Sequence, residues 1–394
     1  MPNMWIYRDL SQVLEKNHSL IQILIGPRQC GKSALFLKLS PSFVEISMDD
    51  LSLRKIVSED PLIYLDQFRN KKLLIDEAQL SPEIFSALKR RVDLIKRQSP
   101  PKKETLYRLT GSNQIFLDKN VKESLTGRAS YFELNTLSVA EIKKHLDLPM
   151  GDIIFKGGWP ELYTDSDIEI GRYLDDYIRT YIERDIILTA GVQKQREFMH
   201  FSQLLAGRTG QLLNYSELSK EVGVNSETIR DWISILERMR FIILIRPYYS
   251  NLSNRLIKSP KIYFLDTGIT CRLQGHSSVS PLLTSPQMGA IFETLVAAEI
   301  YKTMKNFDKN WRIYHWRSRD GEEVDFYIEL EDGKSLFLEV KLSRQSISKN
   351  PNYPEIVKVF KKKVPPCYLC HLDGDEIVDN AIPIKFLRDF LLTY

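Results

Sequence analysis

The segment GPRQCGKS, residues 26–33, sets two glycines, a lysine and a serine at the spacing G-x-x-x-x-G-K-S. It follows the apolar run LIQILI and opens the helical pattern ALFLKL, so it lies where a strand hands over to a helix. There Gly26, Pro27, Arg28, Gln29, Cys30, Gly31, Lys32 and Ser33 form a loop whose backbone N–H groups can turn inward around a polyphosphate. The helix N-terminus behind them adds positive potential. Lys32 has the reach for the β- and γ-phosphates, and the Ser33 hydroxyl suits Mg²⁺. The chemistry these types and spacings allow is binding of ATP with Mg²⁺.

A second apolar run, KKLLIDEAQ (71–79), ends in Asp76 and Glu77. A carboxylate at the end of a buried strand is costly to desolvate, so a pair of them there calls for a use. Beside a nucleotide, Asp76 supports the metal and Glu77 acts as general base toward the attacking water. A third run, LYRLTGSNQ (106–114), ends in small polar residues. Ser112 is the first choice for orienting the water or sensing the γ-phosphate. Thr110 and Asn113 are the alternatives, and a plain Gly-Ser turn is the competing reading. In SLTGRASYFEL, Arg128 follows a glycine and precedes a strand. It either stabilises transferred phosphoryl charge, for example across a subunit boundary, or forms a structural ion pair.

A second constellation lies in GEEVDFYIELEDGKSLFLEVKLS (321–343), preceded by Glu293 in AIFETLV. Strand periodicity puts Glu339 and Lys341 on one face, with Val340 on the other. A turn at EDG (331–333) folds Asp325 toward them. Asp325 and Glu339 then offer oxygens to Mg²⁺, Lys341 can position water or stabilise charge on a scissile phosphate, and Glu293 can add to the site from a helix. A solvated strand face carrying Glu and Lys is the ordinary alternative.

The elements that must position these groups can be read coarsely. Residues 1–140 alternate strand-like runs with helical patterns, which predicts an α/β domain with a parallel sheet. From 141 to about 240 the pattern is helical, and Tyr173, Tyr177 and Tyr181 recur at i, i+4 as a core-facing stripe. NYSELSKEVGVNSETIRDWISILERM (214–239) reads as helix, Gly turn, helix, with Asn225 or Ser226 capping the second helix and Glu227 in its first turn. Two strands and a loop follow, so a winged helix is expected. Its second helix offers Ser226, Thr228 and Arg230 to DNA but also carries Glu227, Asp231 and Glu237. The wing, with Arg246, Arg255, Lys258 and Lys261, is the better phosphate-contacting surface. SSVSPLLTSPQMG (277–289) reads as a linker. The expected domains are 1–140, 141–270 and 271–394.

The ordered set GPRQCGKS, LLIDEAQ, LTGSN, SLTGRA, GGWPE (157–161), TYIERDI (180–186), LLAGRTGQLLNYSELS (204–219) and KSPKIYFLDTG (258–268) resembles the AAA+ division of P-loop ATPases. More closely, it resembles a prokaryotic family of AAA+-type ATP-binding proteins that carry a C-terminal domain of unknown function. The likeness covers nearly the whole chain. The order helix-Glu293, strand-Asp325, strand-Glu339-x-Lys341 is similar to the PD-(D/E)xK nuclease superfamily. These resemblances imply an α/β protein: a parallel P-loop (AAA+/ASCE) sheet, then a helical and winged-helix module, then an α/β restriction-endonuclease-like domain.

At 394 residues the chain exceeds one typical core. Hydrophobic residues at 43% and charged residues at 27% exclude a disordered polyelectrolyte. A net charge of +4 permits a nucleic-acid partner without demanding one. Four cysteines in no framework argue against a disulfide scaffold. CYLCH (367–371) formally has a haem-attachment spacing but reads as buried thiols. No apolar run is long enough to span a membrane and no export signal is visible, so a cytoplasmic protein without a membrane partner is expected. The expected function is a Mg²⁺-dependent ATPase whose nucleotide state controls a C-terminal DNA-binding or DNA-cleaving domain. The alternative is a nucleotide-switched DNA- or protein-binding module with a catalytically silent C-terminal domain. Beyond ATP, the partners allowed are DNA, another protein and further copies of the chain.

Overall fold

The computed structural model describes residues 5–97, 104–111, 125–181, 194–248, 259–318, 322–344, 354–360 and 364–394. They fall into two compact units. One holds residues 7–136 with 305–308, and the other holds the rest.

In the first unit the apolar runs become β1 (Ile21–Ile25), β2 (Val44–Ser47), β3 (Leu73–Asp76), β4 (Tyr107–Gly111) and β5 (Ala129–Glu133). All pair in parallel, in the order β2-β3-β4-β1-β5. Strands covered on both faces read as continuous apolar runs rather than alternating ones, and β4 is buried along its whole length. Among the polar exceptions, Gln22 and Arg108 are partners in register. Arg108 Nε donates to Gln22 Oε1 at 2.9 Å, and the Gln22 amide donates to the Leu14 and Asn17 carbonyls at 2.8 and 2.9 Å. Both side chains are therefore satisfied inside the core. The helix Glu83–Lys96 covers the sheet with Ile84, Phe85, Leu88 and Val92, a stripe at i, i+3/i+4 spacing.

Strand β4 lies between β1 and β3. Parallel strands all finish at one edge, so the residues after Ile25, Ile75 and Leu109 are brought side by side. That carboxyl edge is where open α/β sheets bind ligands.

The second unit is built on one seven-stranded sheet, β12-β11-β10-β9-β8-β6-β7. Strands β6 (Ile242–Pro247) and β7 (Lys261–Phe264) form an antiparallel pair. β6 pairs in parallel with β8 (Arg312–Arg317) through Arg246–Tyr314 and Pro247–His315. β8, β9 (Glu323–Glu329) and β10 (Ser335–Lys341) are antiparallel, and β11 (Cys367–His371) and β12 (Ala381–Pro383) add in parallel. Strands from both sides of the expected boundary at 270 thus share one sheet. The Ser/Pro stretch read as a linker contains the helix Val279–Leu283, and Leu282 is fully buried there. Two of the three stripe tyrosines pack inward: Tyr177 and Tyr181 are buried, with ring centroids 5.3 Å apart, and Tyr173 is half-buried. Cys367 and Cys370 are buried free thiols.

Two of the quoted motifs prove to be one junction. Asp266 Oδ2 accepts the Gly158 N–H at 2.8 Å and Asp266 Oδ1 accepts the Ile269 N–H at 3.1 Å. Gly157 has φ 72°, and a Cβ there would stand 2.1 Å from Asp266 Oδ1. GGWPE and LDTG are therefore read as packing of backbone on carboxylate, with glycine required by close approach.

The 19-residue helix Met288–Asn306 is apolar around much of its circumference, as a buried helix must be, and carries Glu293 and Glu299. Glu299 is 2% exposed, and its Oε1 has no hydrogen-bond partner among the described residues. Burial, only partly offset by Lys302, pushes its carboxyl up to about 7. A carboxyl raised in the folded state stabilises fully below its unfolded value of 4.5, and that stability is lost as pH rises through about 7. Glu299→Gln should therefore be more stable than wild type at pH 8 by up to about 3 kcal/mol and level with it near pH 4.5. Urea melts across pH 4.5–8.5 read this directly, and equal wild-type and variant profiles would refute it.

Candidate functional site

The carboxyl edge of the five-stranded sheet gathers the first constellation. Gly31, at φ 94°, starts the helix Lys32–Leu39, and Gln29 is also left-handed at φ 59°. These reversals turn the backbone N–H groups of the loop to one side. Gly26 lies against β5's exit: a Cβ would sit 2.0 Å from the Leu134 carbonyl oxygen. Gly26→Ala should thus destabilise this unit by roughly 1–3 kcal/mol, measurable in a denaturant melt. An unshifted midpoint would mean the loop yields freely.

Arg8 braces the loop from the side away from solvent. It is 3% exposed, and it donates through Nη1 to the Cys30 carbonyl at 2.7 Å and through Nη2 to the Asn135 carbonyl at 2.6 Å. Lys32 folds over the loop, its Nζ donating to the Pro27 and Gly26 carbonyls at 2.7 and 3.2 Å. Ser33 Oγ donates to Asp76 Oδ1 at 2.6 Å. The Thr110 hydroxyl donates to the same oxygen and accepts the Glu77 N–H at 3.2 Å. A hydroxyl and a carboxylate in contact beside a phosphate loop are the donor set Mg²⁺ takes with a nucleotide, so these residues fit that ion.

Glu77 occupies the left-handed region at φ 49°, uncommon for a non-glycine residue, and its Oε2 accepts a hydrogen bond from the Gln79 amide. Strain of this kind gathers at working sites. Asp49, just past β2, joins the same group. Its carboxyl is raised by partial burial and then by the charges of Glu77 and Asp76, against Arg28 and Arg54.

Of the residues expected here, Lys32, Ser33, Asp76, Glu77 and the Gly26–Gly31 loop meet at one edge. Ser112 and Asn113 lie outside the described residues, whereas Thr110 is at the site. Arg128 is not brought to it. Ala129 pairs with Ile21 at the start of β1, so Arg128 sits at the opposite end of the sheet from the loop that follows Ile25. It forms a two-pronged pair with Asp93, Nε–Oδ1 2.6 Å and Nη2–Oδ2 3.0 Å. That pairing holds the Asp93 carboxyl below its usual range. Arg8, Asp49 and Gln79 were not singled out from the sequence. Arg8 and Asp49 come from elements outside the motifs, and only Gln79 had a local cue, two residues after Glu77.

The second constellation also converges. Phe326 pairs with Leu338 across β9 and β10; continuing that register by one step sets Asp325 opposite Glu339, in keeping with the Glu339 charge acting on the Asp325 carboxyl. Asp325 Oδ2 accepts the Val340 N–H at 2.8 Å. Lys341 Nζ is 3.9 Å from Glu339 Oε2, and Glu339 Oε1 is buried without a hydrogen-bond partner among the described residues. Burial and then the Glu339 charge push the Asp325 carboxyl up to about 6. Burial also raises Glu339, and burial followed by the Asp325 charge raises Glu293. Glu293 Oε1 accepts from Tyr263 OH at 2.5 Å and from Lys261 Nζ at 3.1 Å. Among the described residues, no three His, Cys, Asp or Glu side chains stand close enough to hold a metal ion by themselves. A cation here would rest on Asp325 and Glu339, with backbone carbonyls and water completing its shell. The orphaned Glu339 oxygen fits that role.

Lys261 corrects the expected wing surface. It is 5% exposed, sealed between Glu293 and Glu323 rather than offered to phosphate. A buried ammonium needs paired carboxylates, and this one has them. Arg255 and Lys258 lie outside the described residues. Arg246 is exposed on β6. Upstream, Asn225 Oδ1 caps the helix Ser226–Arg238 by accepting the Thr228 N–H at 2.7 Å. Arg230 on that helix lies over the Tyr215 ring, 4.4 Å from its centroid. No helix of the described residues is long and apolar enough to cross a membrane.

Residues 18–143 match a family model described as an AAA domain. Residues 150–280 and 288–386 match two domains of unknown function, DUF8612 and DUF4143. The chain is 29% identical over 334 residues to the uncharacterized protein Rv2008c of Mycobacterium tuberculosis, covering 84% of this chain and 72% of that one. It is 24% identical over 407 residues to the uncharacterized protein MJ1637 of Methanocaldococcus jannaschii, covering 89% and 82%. Among solved structures it is similar to the Walker-type ATPase PABY2304 of Pyrococcus abyssi, with TM-score 0.41 and 15% identity, over 68% of this chain and 95% of that one. The parallel sheet and the AAA match agree: the N-terminal segment is an AAA-type P-loop ATPase domain.

Proposed function

We propose that the protein hydrolyses ATP at the Gly26–Ser33 loop and that its nucleotide state controls a metal-dependent DNA-cleaving site at Asp325, Glu339 and Lys341. The ATPase half rests on one observation above the rest: Ser33, Asp76 and Thr110 meet beside the loop with Glu77 adjoining. Lys32 exchanges the Gly26 and Pro27 carbonyls for phosphate oxygens. Glu77 accepts a proton from water as its oxygen bonds to the γ-phosphorus, while the bond to the β-bridging oxygen breaks and ADP leaves. Thr110 Oγ1 keeps Asp76 and the Glu77 backbone in register. Bound Mg²⁺, held by Ser33 and through Asp76, supplies neutralisation of phosphate charge.

The cleavage half rests on the facing pair Asp325 and Glu339 with a buried unpaired oxygen and an adjacent lysine. Glu293 lies on the helix Met288–Asn306, Asp325 on β9, and Glu339 and Lys341 on β10, the order helix-Glu, strand-Asp, strand-Glu-x-Lys on which the resemblance to the PD-(D/E)xK superfamily rests. A divalent cation on the two carboxylates would polarise the scissile phosphate. Lys341 orients the attacking water and stabilises the charge that develops. The water oxygen bonds to phosphorus, one ester P–O bond breaks, and the departing alkoxide takes up a proton. The helix-turn-helix segment and exposed Arg230 and Arg246 supply a surface for the DNA backbone. A homo-oligomer is compatible with Arg128 acting on a neighbouring copy.

The test is cleavage of single-stranded, duplex and branched DNA with Mg²⁺ or Mn²⁺, with and without ATP. Cutting that disappears in Lys341→Ala supports the reading, and ATP dependence supports the coupling. ATP turnover without any cutting would leave a nucleotide-switched binding module. The ion pairs by which Lys261 engages both Glu293 and Glu323 are the observation favouring that second reading.

A further inference from the structure

The acids of the C-terminal site are not equivalent. Glu293, on the helix Met288–Asn306, and Glu323, on β9, both pair with Lys261 of β7, at 3.1 and 2.5 Å. Tyr263, two residues along the same strand, donates to the same Glu293 oxygen. The other two acids, Asp325 and Glu339, face each other and retain an orphaned oxygen. Burial opposes charge on Lys261, yet Glu293, Glu323 and Asp325 outweigh it and keep the ammonium ionised. Burial and then that ammonium hold His315, on β8, down to about 4 and therefore neutral. Among the described residues, Lys341 on β10 also lies 3.9 Å from Glu339 and Arg317 on β8 lies 3.9 Å from Glu323.

We infer that Lys261 is a built-in cation of this site, standing where a second metal ion would bind, so that the cluster takes one divalent ion, on Asp325 and Glu339. The argument is one of charge and space. Four carboxylates of low exposure within electrostatic reach of one another need about as much positive charge nearby. Two-metal phosphodiester sites obtain it from two ions about 4 Å apart. Here two of the acids, Glu293 and Glu323, already share the Lys261 ammonium delivered on β7, and Arg317 stands 3.9 Å from Glu323, so these two positive charges balance that pair, with Tyr263 fixing the geometry of Glu293. Glu293 is then a positioning residue that holds Lys261, rather than a ligand. Arg at 261 would keep the charge, and Met would remove it at similar volume.

The inference rests on the metal reading of the cluster, and the experiment separates the two. Mn²⁺ binding is titrated calorimetrically on the full-length, nucleotide-free protein, and ions at this site are counted as those lost in Asp325→Asn. One ion is expected in wild type and in Lys261→Arg, and two in Lys261→Met. Two ions in wild type, or one in all three proteins, would overturn the role of Lys261 alone. No Mn²⁺ sensitive to Asp325→Asn would instead remove the metal reading beneath it. Should Lys261→Met fold poorly, Lys261→Gln is titrated in its place: two ions are expected, and one ion would overturn the role of Lys261.

Discussion

Glu77→Gln is expected to lower kcat for ATP hydrolysis by about 10²–10⁴-fold while the nucleotide stays bound, and Lys32→Ala to weaken ATP binding itself by about 10–100-fold. The two effects differ because the side chains meet the nucleotide at different moments. Lys32 already donates to two loop carbonyls, so on binding it exchanges neutral acceptors for charged phosphate oxygens. Glu77 contributes only as the water loses its proton. Its left-handed backbone and its hydrogen bonds to Thr110 and Gln79 hold the carboxylate, and a glutamine preserves shape while removing basicity. Fluorescent-nucleotide titration and phosphate release measured on the same preparations separate the cases. Equal turnover in Glu77→Gln would transfer the base role to Asp49, the other acid of that edge.

What could be read ahead of the structure followed chain distance. The loop from Gly26 to Ser33 is contiguous, and its strand-to-helix setting is written in the flanking runs, so eight residues could be assigned at once. Asp76 and Glu77 announced themselves as two acids closing an apolar strand. Arg8 had no such cue: its partners, Cys30 and Asn135, lie 22 and 127 positions away. Lys261 misled for a related reason. In KSPKIYF it follows a polar, proline-containing stretch and looks like the edge of a basic loop. Its burial depends on Glu293 and Glu323, which arrive from a helix and a strand 32 and 62 positions on. Local pattern cannot price a buried charge without knowing its partners. The Ser/Pro stretch at 277–289 failed likewise, because Leu282 is buried by elements the local composition does not reveal. The facing of Asp325 and Glu339, by contrast, followed from strand periodicity and one turn, both local properties.

Asp325→Asn is expected to abolish DNA cleavage and yet to stabilise the folded protein, by on the order of 2 kcal/mol at neutral pH. The stabilising sign comes from where the carboxylate sits. It is half-buried, one position past the Phe326–Leu338 pair, and its ionised form is opposed by both burial and the Glu339 charge. Asparagine keeps an oxygen to accept the Val340 N–H and removes the like-charge contact. A purely structural acid would behave otherwise: one that owed its place to ion pairing or capping would lose stability when neutralised. A site that carries an acid against its own stability is a site arranged for something that relieves the repulsion, and a divalent cation would do so. Mn²⁺ should accordingly raise the thermal midpoint of wild type and leave that of Asp325→Asn unmoved. If Asp325→Asn melts below wild type and Mn²⁺ shifts neither protein, the facing acids are scaffold, and nucleotide-controlled binding becomes the function to pursue.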